Sequence, residues 1–504
     1  MTLPIKATDQ PVIDTSYGPV IGQRSKSGII VFKGIRYGAD TTGRRFLRPL
    51  NPMPWTSPKP AHDYGPDCPQ RGSTKMSEDC LFLNIWAPTT QKDHHPVVFY
   101  IHGGAYSHGS GSDPLYDGTK LANKGDVIVI TVNHRLGLLG YGYFNQLAAP
   151  TSWQFSGNAG QLDLIMALQW VQKNVKRFGG DPNNITVIGQ SGGGGKIATL
   201  MAMPAAKGLF HKAITMSGQQ VTASGPLNAT KRSEALLSNI GVAVANIQKL
   251  AKLPVSDLLA ASGVTDPVLG YSNLYFGPVL DMHSLLRHPF YPDAAQQSAD
   301  IPMIIGNTLD ETRLFLTKNP MHHNLTWETL PKFLGSNMRV DIDPYYVRDT
   351  YRKLFPTLNP SEIFFKATTA ARSWRAAIIE AEERAKLGAA TWVYQLNWQS
   401  PKDNGKWRAP HTLDIPLIFM NTDVAGAISG NTKGAQQMAG IMSDMVIAFA
   451  KTGKPQAATM PTWPVFNLKD RATMIMDLTT RVKNDPRGSE RKLFETVPYI
   501  QPGS

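Results

Sequence analysis

Apolar residues fall into two rhythms along this chain. Short unbroken runs, "PVVFYIHGG", "DVIVITVNHRLG", "ITVIG", "IPMIIGN" and "TWVYQLNW", have the length and the β-branched and aromatic content of strands buried on both faces. Between several of them lie stretches with helical spacing. In "QLDLIMALQWVQKNVKRFGGDP", Leu162, Ile165, Met166 and Trp170 share one face, basic residues gather near the end, and Gly179-Gly180-Asp181-Pro182 stops the helix. The alternation predicts a mostly parallel α/β sheet with helices on both sides. The opening "VIDTSYGPVIGQ" predicts instead an antiparallel edge hairpin turning at Tyr17-Gly18-Pro19. From about 221 to 300 and again from 317 to 390 the pattern is helical with irregular loops and no convincing strand, as expected of insertions covering one end of the sheet. No internal repeat or low-complexity linker divides the chain, so residues 1–504 read as a single domain.

Composition adds exclusions. With 42% hydrophobic and 18% charged residues, 504 positions fill a large core and carry no mark of disorder. Lysine and arginine number 51 against 38 acids, a formal charge of +13, which raises nucleic acid, membranes and anionic substrates as partners. The basic residues are dispersed, without a run of five, a zinc-finger spacing or an RNA-binding aromatic signature, which argues against nucleic acid. No stretch approaches the ~18 uninterrupted apolar residues of a membrane span, and "MTLPIKATDQPVIDT" has neither a basic start nor an apolar h-region. The two cysteines, Cys68 and Cys80, stand twelve positions apart. That spacing permits a bridge and equally fits two free thiols; a bridge would favour a secreted or periplasmic location. Asn184, Asn228 and Asn324 begin N-x-S/T sequons, which matter only in a eukaryotic secretory pathway.

The chemistry is concentrated in "ITVIGQSGGGGKIATLMAM". Ile185 to Ile188 read as a strand, Ile197, Leu200 and Met201 as a helix face, and Ser191 lies at the turn between them, flanked by Gly189 and Gly193 as G-x-S-x-G. A turn that sharp leaves the flanking positions no room for a Cβ, the steric demand of a nucleophile elbow. A serine hydroxyl needs a base, and the base needs a carboxylate to orient it; on an α/β-hydrolase sheet the order is Ser, acid, His. His322 and His323, in the polar loop "KNPMHHNLT", read as solvated, which leaves His411 in "GKWRAPHTLDIPLIF" after a strand at 391 to 398. Among the acids, Asp310 and Glu311 directly follow the buried strand "IPMIIG"; Glu311 is the favoured acid and Asp310 its structural neighbour, a choice that spacing alone leaves open. Gly103 and Gly104 in "YIHGGAYSHG", with the amide of Gly192, supply backbone donors for an oxyanion.

These stretches resemble the type-B carboxylesterases, a family that includes cholinesterases and many microbial esterases. The resemblance runs in order through "FKGIRYG", "RRFLRP", "SEDCLFLNIWAP", "YIHGGAYSHG", "VNHRLGLLGY", the segment around "GQSGG", "AITMSGQ", "NTLDETRLF", "APHTLDIPLIF", "AFAKTGKP" and "TWPVF". It implies an α/β-hydrolase fold, Ser191 as nucleophile, Glu311 as acid, His411 as base, Gly103, Gly104 and Gly192 as oxyanion donors, and Ser217 of "MSGQ" as a supporting hydrogen bonder. It also implies a Cys68–Cys80 disulfide, small-molecule ester substrates, and neither cofactor nor metal. Three positions depart from the family pattern: Gly192 replaces alanine, Thr312 replaces the glycine after Asp-Glu, and Arg36 stands where "GIPYA" has proline. All three bear on local geometry and substrate fit, and none removes a catalytic group. The short segment between the cysteines holds no aromatic residue, which disfavours a choline ester. Arg36, Arg71 and Lys75 together with the +13 charge point to esters bearing negative charge, such as the polycarboxylate side chains of fumonisin-type mycotoxins. A non-catalytic binding module on the same fold, a thioesterase and a serine peptidase are the alternatives.

Overall fold

The computed structural model describes residues 10–89 and 94–501. Eleven strands form the central sheet: β1 (Gln23–Arg24), β2 (Ile30–Arg36), β3 (Phe82–Ala87), β4 (His95–Ile101), β5 (Ile128–Val132), β6 (Gly180–Gln190), β7 (Lys212–Met216), β8 (Met303–Thr308), β9 (Thr391–Leu396), β10 (Ala472–Met476) and β11 (Arg481–Asn484), in spatial order 1-2-3-5-4-6-7-8-9-10-11. From β5 to β10 every pairing is parallel, and the antiparallel strands lie outside that block. The unbroken apolar runs are explained by burial from both sides. Along β4, Val97, Phe99 and Ile101 join one apolar cluster with the helices Ala159–Asn174 and Gly192–Leu200. Val98 and Tyr100 point the other way, into a cluster with the helices Asp414–Ile418 and Lys433–Thr452.

The helix predicted from "QLDLIMALQW" spans Ala159–Asn174, continues as a 3₁₀ turn to Phe178, and stops at Gly179, whose φ of 86° is the left-handed conformation that glycine supplies at a helix end. The amino-terminal hairpin also forms, pairing Val12–Asp14 with Pro19–Ile21. It takes Lys59–Pro60 as its third strand and closes a small sheet of its own, whereas the edge of the central sheet is the β1–β2 pair.

The two insertions differ from each other. Residues 221–300 are helical only at Pro226–Asn239, a 3₁₀ stretch Val244–Ala251, Val255–Ala261 and a 3₁₀ turn Gln296–Ser298. The intervening loop is organised by the buried carboxylate of Asp266, which accepts the amides of Val268, Leu269 and Tyr275 and pairs with Arg232 at 2.7 Å. The 317–390 insertion is helical through Leu330–Asn337, Pro344–Leu354, Pro360–Thr369 and Arg375–Lys386. These helices enclose an apolar cluster of their own around Leu334, Tyr351, Phe364 and Phe365.

Candidate active site

Four adjacent parallel strands deliver four of the predicted residues to one edge of the sheet. Ser191 follows β6, Ser217 follows β7, Glu311 lies just beyond β8, and His411 stands on the loop after β9. Backbone bonds between neighbours fix their relative heights: the Ser191 amide donates to Met216 O at 2.8 Å and the Ser217 amide to Gly306 O at 2.7 Å. Ser191 has φ 55° and ψ −125°, a strained combination for a residue with a side chain. A Cβ on Gly189 would lie 2.5 Å from the Gly193 carbonyl carbon, and one on Gly193 would lie 2.0 Å from Ile101 O, so the elbow closes only with glycine at both positions.

Glu311 is fully buried, and its Oε2 accepts the His411 Nδ1–H at 2.5 Å. Its Oε1 accepts from Ser217 Oγ at 2.5 Å, the Thr308 amide at 2.7 Å and Asn307 Nδ2 at 3.3 Å. Burial by itself raises this carboxyl's pKa; the charge of and hydrogen bond from His411, with those from Ser217 and Thr308, outweigh it and hold the pKa below the ordinary glutamate value. Asp310 has a different task, its amide donating to Ala409 O at 2.9 Å and its carboxylate accepting the Ala409 amide at 3.4 Å, so it braces the histidine loop. With Nδ1 committed to Glu311, His411 presents Nε2, which receives the Gln190 side-chain amide at 3.1 Å; that contact, rather than one to Ser191 Oγ, is the one formed. His322, expected to be solvated, is buried against Phe333 and Phe364 with Nδ1 on Leu316 O at 2.8 Å, because the 3₁₀ turn Pro320–His323 tucks it under the insertion's own core. His323 is exposed.

Gly103 and Gly104 follow β4, and a Cβ on Gly104, whose φ is +81°, would meet His108 O at 2.1 Å. Among the described residues no hydrogen bond consumes the amides of Gly103, Gly104 or Gly192, and Gly192 opens a helix whose first amides have no intrahelical acceptor. The departure at Gly192 has a local reason: a Cβ there would lie 2.0 Å from Ala105 O. Ala105 is drawn in by Lys196. Its fully buried ammonium donates to Ala105 O at 2.7 Å and His102 O at 3.2 Å, the carbonyls on either side of Gly103-Gly104. No carboxylate pairs with it among the described residues, and burial lowers its pKa to about 7. His102, stacked on His134 beneath the loop, is lowered to about 3 by burial and then by the Lys196 charge. The sequence gives no sign of Lys196's role, because a lysine after four glycines on a short helix reads as a solvated charge.

Thr312, another departure, is buried, and its hydroxyl bonds with Phe365 O at 3.1 Å and the hydroxyls of Thr368 and Thr369 at 2.9 and 3.0 Å. It ties the loop bearing Glu311 to the insertion helix Pro360–Thr369. The cavity above Ser191 has a volume of ≈ 490 Å³ and is walled by Gly103, Gly104, Ser191 and His411 below and by Tyr275, Arg339 and Arg372 from the insertions. The cysteines form the Cys68–Cys80 disulfide, and within their loop the Gln70 side chain bonds both N–H and C=O of Gly109, at the far end of the loop that begins at Gly103. Among the described residues no group of three or more His, Cys, Asp or Glu could hold a metal ion, and no helix is long and apolar enough to cross a membrane.

Comparison with known proteins gives the same picture. Residues 9–494 match the model of the carboxylesterase family. The chain is 35% identical to the para-nitrobenzyl esterase of Bacillus subtilis (strain 168), over 96% of this chain and 98% of that protein. It is 28% identical to the fumonisin B1 esterase of Sphingopyxis macrogoltabida, over 92% and 88% respectively. Among solved structures, the carboxylesterase EST55 of Geobacillus stearothermophilus superposes with a TM-score of 0.86 at 32% identity, covering 96% of this chain and 99% of that one. The chain belongs to the carboxylesterase family and is a carboxylic ester hydrolase of the serine type.

Proposed function

We propose that Ser191, His411 and Glu311 hydrolyse small carboxylic esters through an acyl-enzyme. The observation that carries this reading is the delivery of nucleophile, acid and base by neighbouring strand ends, with Glu311 on His411 Nδ1 at 2.5 Å. His411 Nε2 exchanges the Gln190 amide for the Ser191 hydroxyl and takes its proton as Oγ attacks the acyl carbon. Glu311 stabilises the imidazolium, while the amides of Gly103, Gly104 and Gly192 receive the oxyanion. The imidazolium then protonates the leaving alcohol, and the same base activates water for deacylation.

The finer reading is that the preferred esters carry negative charge. The residues first expected to carry that preference do not stand in the catalytic cavity. Arg36 is neutralised by Asp79 in a two-pronged pair at 2.5 and 2.6 Å and lies over Phe82. Arg71 donates to Leu259 O and Ala260 O at the end of the helix Val255–Ala261. Lys75 is exposed. Support comes instead from the +13 charge and from the cations that do line the cavity.

Pre-steady-state hydrolysis of p-nitrophenyl butyrate tests the activity. The expected result is a burst of nitrophenol equal to the enzyme concentration when deacylation limits, and loss of turnover in Ser191→Ala with an unchanged circular dichroism spectrum. Turnover retained in Ser191→Ala would overturn the assignment.

A further inference from the structure

Four of the eight arginines of the insertions are paired with a carboxylate: Arg232 with Asp266, Arg287 with Asp293, Arg348 with Asp349 and Arg375 with Glu382. Arg339 and Arg372 are not. Both line the cavity above Ser191, and among the described residues neither forms an ion pair with a carboxylate. The one acid in that cavity's lining is Asp113, on the turn beyond the oxyanion loop. Both guanidinium groups line the same cavity, and their like charges repel each other. The effect is visible on Arg372, whose pKa burial and then the Arg339 charge push down to about 9, which leaves it cationic at neutral pH.

Their placement is built. The helix that begins at Pro360 widens into a π-turn at Ala370–Trp374 before continuing as Arg375–Lys386, and the extra residue re-aims Arg372 relative to a regular helix. Phe315 lies between Arg372, 4.8 Å from its ring centroid, and the His411 imidazole, at a 4.9 Å centroid separation, so the guanidinium sits one aromatic ring away from the catalytic base. The carboxyl-terminal segment joins the two arginine-bearing stretches: the Tyr499 hydroxyl donates to Arg372 O at 3.0 Å, and the Ile500 amide donates to Arg339 O at 3.0 Å.

We propose that Arg339 and Arg372 form a carboxylate-binding subsite of the catalytic cavity that selects esters bearing a free carboxylate away from the scissile bond. The inference rests on the esterase reading of Ser191 and gives its anionic substrate class a location. A planar fork suits a carboxylate because it donates two parallel hydrogen bonds, and a partly desolvated cation gains more from that pairing than an exposed one.

The test is a series of monoethyl dicarboxylates of three to six carbons, each compared by kcat/KM with its terminal carboxamide, an uncharged isostere. For at least one chain length the carboxylate is expected to exceed its carboxamide tenfold or more. Arg339→Gln/Arg372→Gln should bring that ratio to near one, while Arg348→Gln, remote from the cavity, should keep it. In the unaltered enzyme, the free dicarboxylate should inhibit p-nitrophenyl butyrate hydrolysis competitively, less so as salt screens the pair, and the matching diamide should not. Equal cleavage of both members at every length, or a ratio preserved in the double variant, would overturn the subsite with esterase activity left standing. No turnover of either member or of p-nitrophenyl butyrate would overturn the esterase reading and the subsite with it.

Discussion

The floor and the rim of the cavity are held by different means. On the floor, Ser191, Ser217 and Glu311 are fixed within a few residues of parallel strands, by backbone bonds to the next strand and by a hydrogen-bond chain from Ser217 through Glu311 to His411. On the rim, Tyr275 stands on a loop arranged by Asp266, Arg339 on the bend after the helix Leu330–Asn337, and Arg372 in the π-turn after the helix Pro360–Thr369, both helices packing around a separate apolar cluster. The strand ends set the positions of the reacting groups, and the insertions set what those groups meet above them. Thr312 links them directly, reaching from beside Glu311 to Thr368 and Thr369 just before the π-turn.

The sharpest division within the floor is between two consecutive acids. Glu311→Gln should lower kcat by several orders of magnitude, because the imidazolium loses its carboxylate, and the loss should not add to that of Ser191→Ala. Asp310→Asn should cost far less, since that side chain braces the loop at Ala409. Steady-state kinetics on one neutral ester decides it: near-full activity in Glu311→Gln with a collapse in Asp310→Asn would reverse the assignment.

Next in size is Lys196, which serves the floor from underneath. Lys196→Met removes both carbonyl contacts that hold the loop bearing Gly103 and Gly104. We expect kcat to fall roughly tenfold to a hundredfold, somewhat less than the ~10²–10³ of losing an oxyanion donor outright, with KM for a neutral ester little changed. A change confined to KM would mean that the loop keeps its shape without the ammonium.

How much of this was legible in the sequence follows the same division. Gly189-x-Ser191-x-Gly193 and Gly103-Gly104 are readable because close backbone approach permits no other residue, and the Asp310-Glu311 pair and His411 because they follow apolar runs that had to be strands, while spacing leaves open which of the two acids meets the histidine. The Cys68–Cys80 pairing came only through the family resemblance, since its spacing also fitted free thiols. Lys196, Gln190, Arg339 and Arg372 were not legible. The burial of Lys196 depends on a loop ninety residues upstream, and a π-turn displaces Arg372 from the face that a 3.6-residue period assigns it. The sequence shows the charge of Arg36 but not Asp79, which neutralises it, nor that Arg71 is turned to the carbonyls of Leu259 and Ala260.

The disulfide's loop touches both regions, bracing Gly109 through Gln70 and reaching Leu259 O through Arg71. The bridge closes a loop of 12 residues, and the chain-entropy model gives a stabilisation of roughly 2–4 kcal/mol. Reduction should therefore lower Tm by several degrees, and alkylation of the unreduced protein should find no free thiol. Two alkylatable thiols in protein folded under oxidising conditions would refute the bridge.

The last effect is on stability alone and concerns Asp414, three residues after His411. Burial, and then the charge of Glu311, raise its pKa to about 7, and only its Oδ2 has a partner, the Tyr394 hydroxyl at 3.0 Å. Its unfolded value is near 3.9. Between those values the folded state binds more protons than the unfolded state, so stability is lost as pH rises from about 4 to about 7, by at most ~1.4 kcal/mol per pH unit. Glu380, raised to about 8 by burial, adds its own slope, so the quantity to read is the difference between wild type and Asp414→Asn in denaturant titrations. That difference should grow in favour of the variant across this window; parallel curves would remove Asp414 from the account.

The central claim is that Ser191 is an activated nucleophile at the meeting point of four strand ends. Labelling with a fluorophosphonate, followed by intact-mass measurement and peptide mapping, tests it most directly. One adduct per chain on the peptide containing Ser191, absent in Ser191→Ala and strongly slowed in Glu311→Gln, is the predicted result. No adduct, or one on another residue at the same rate in all three proteins, would contradict it.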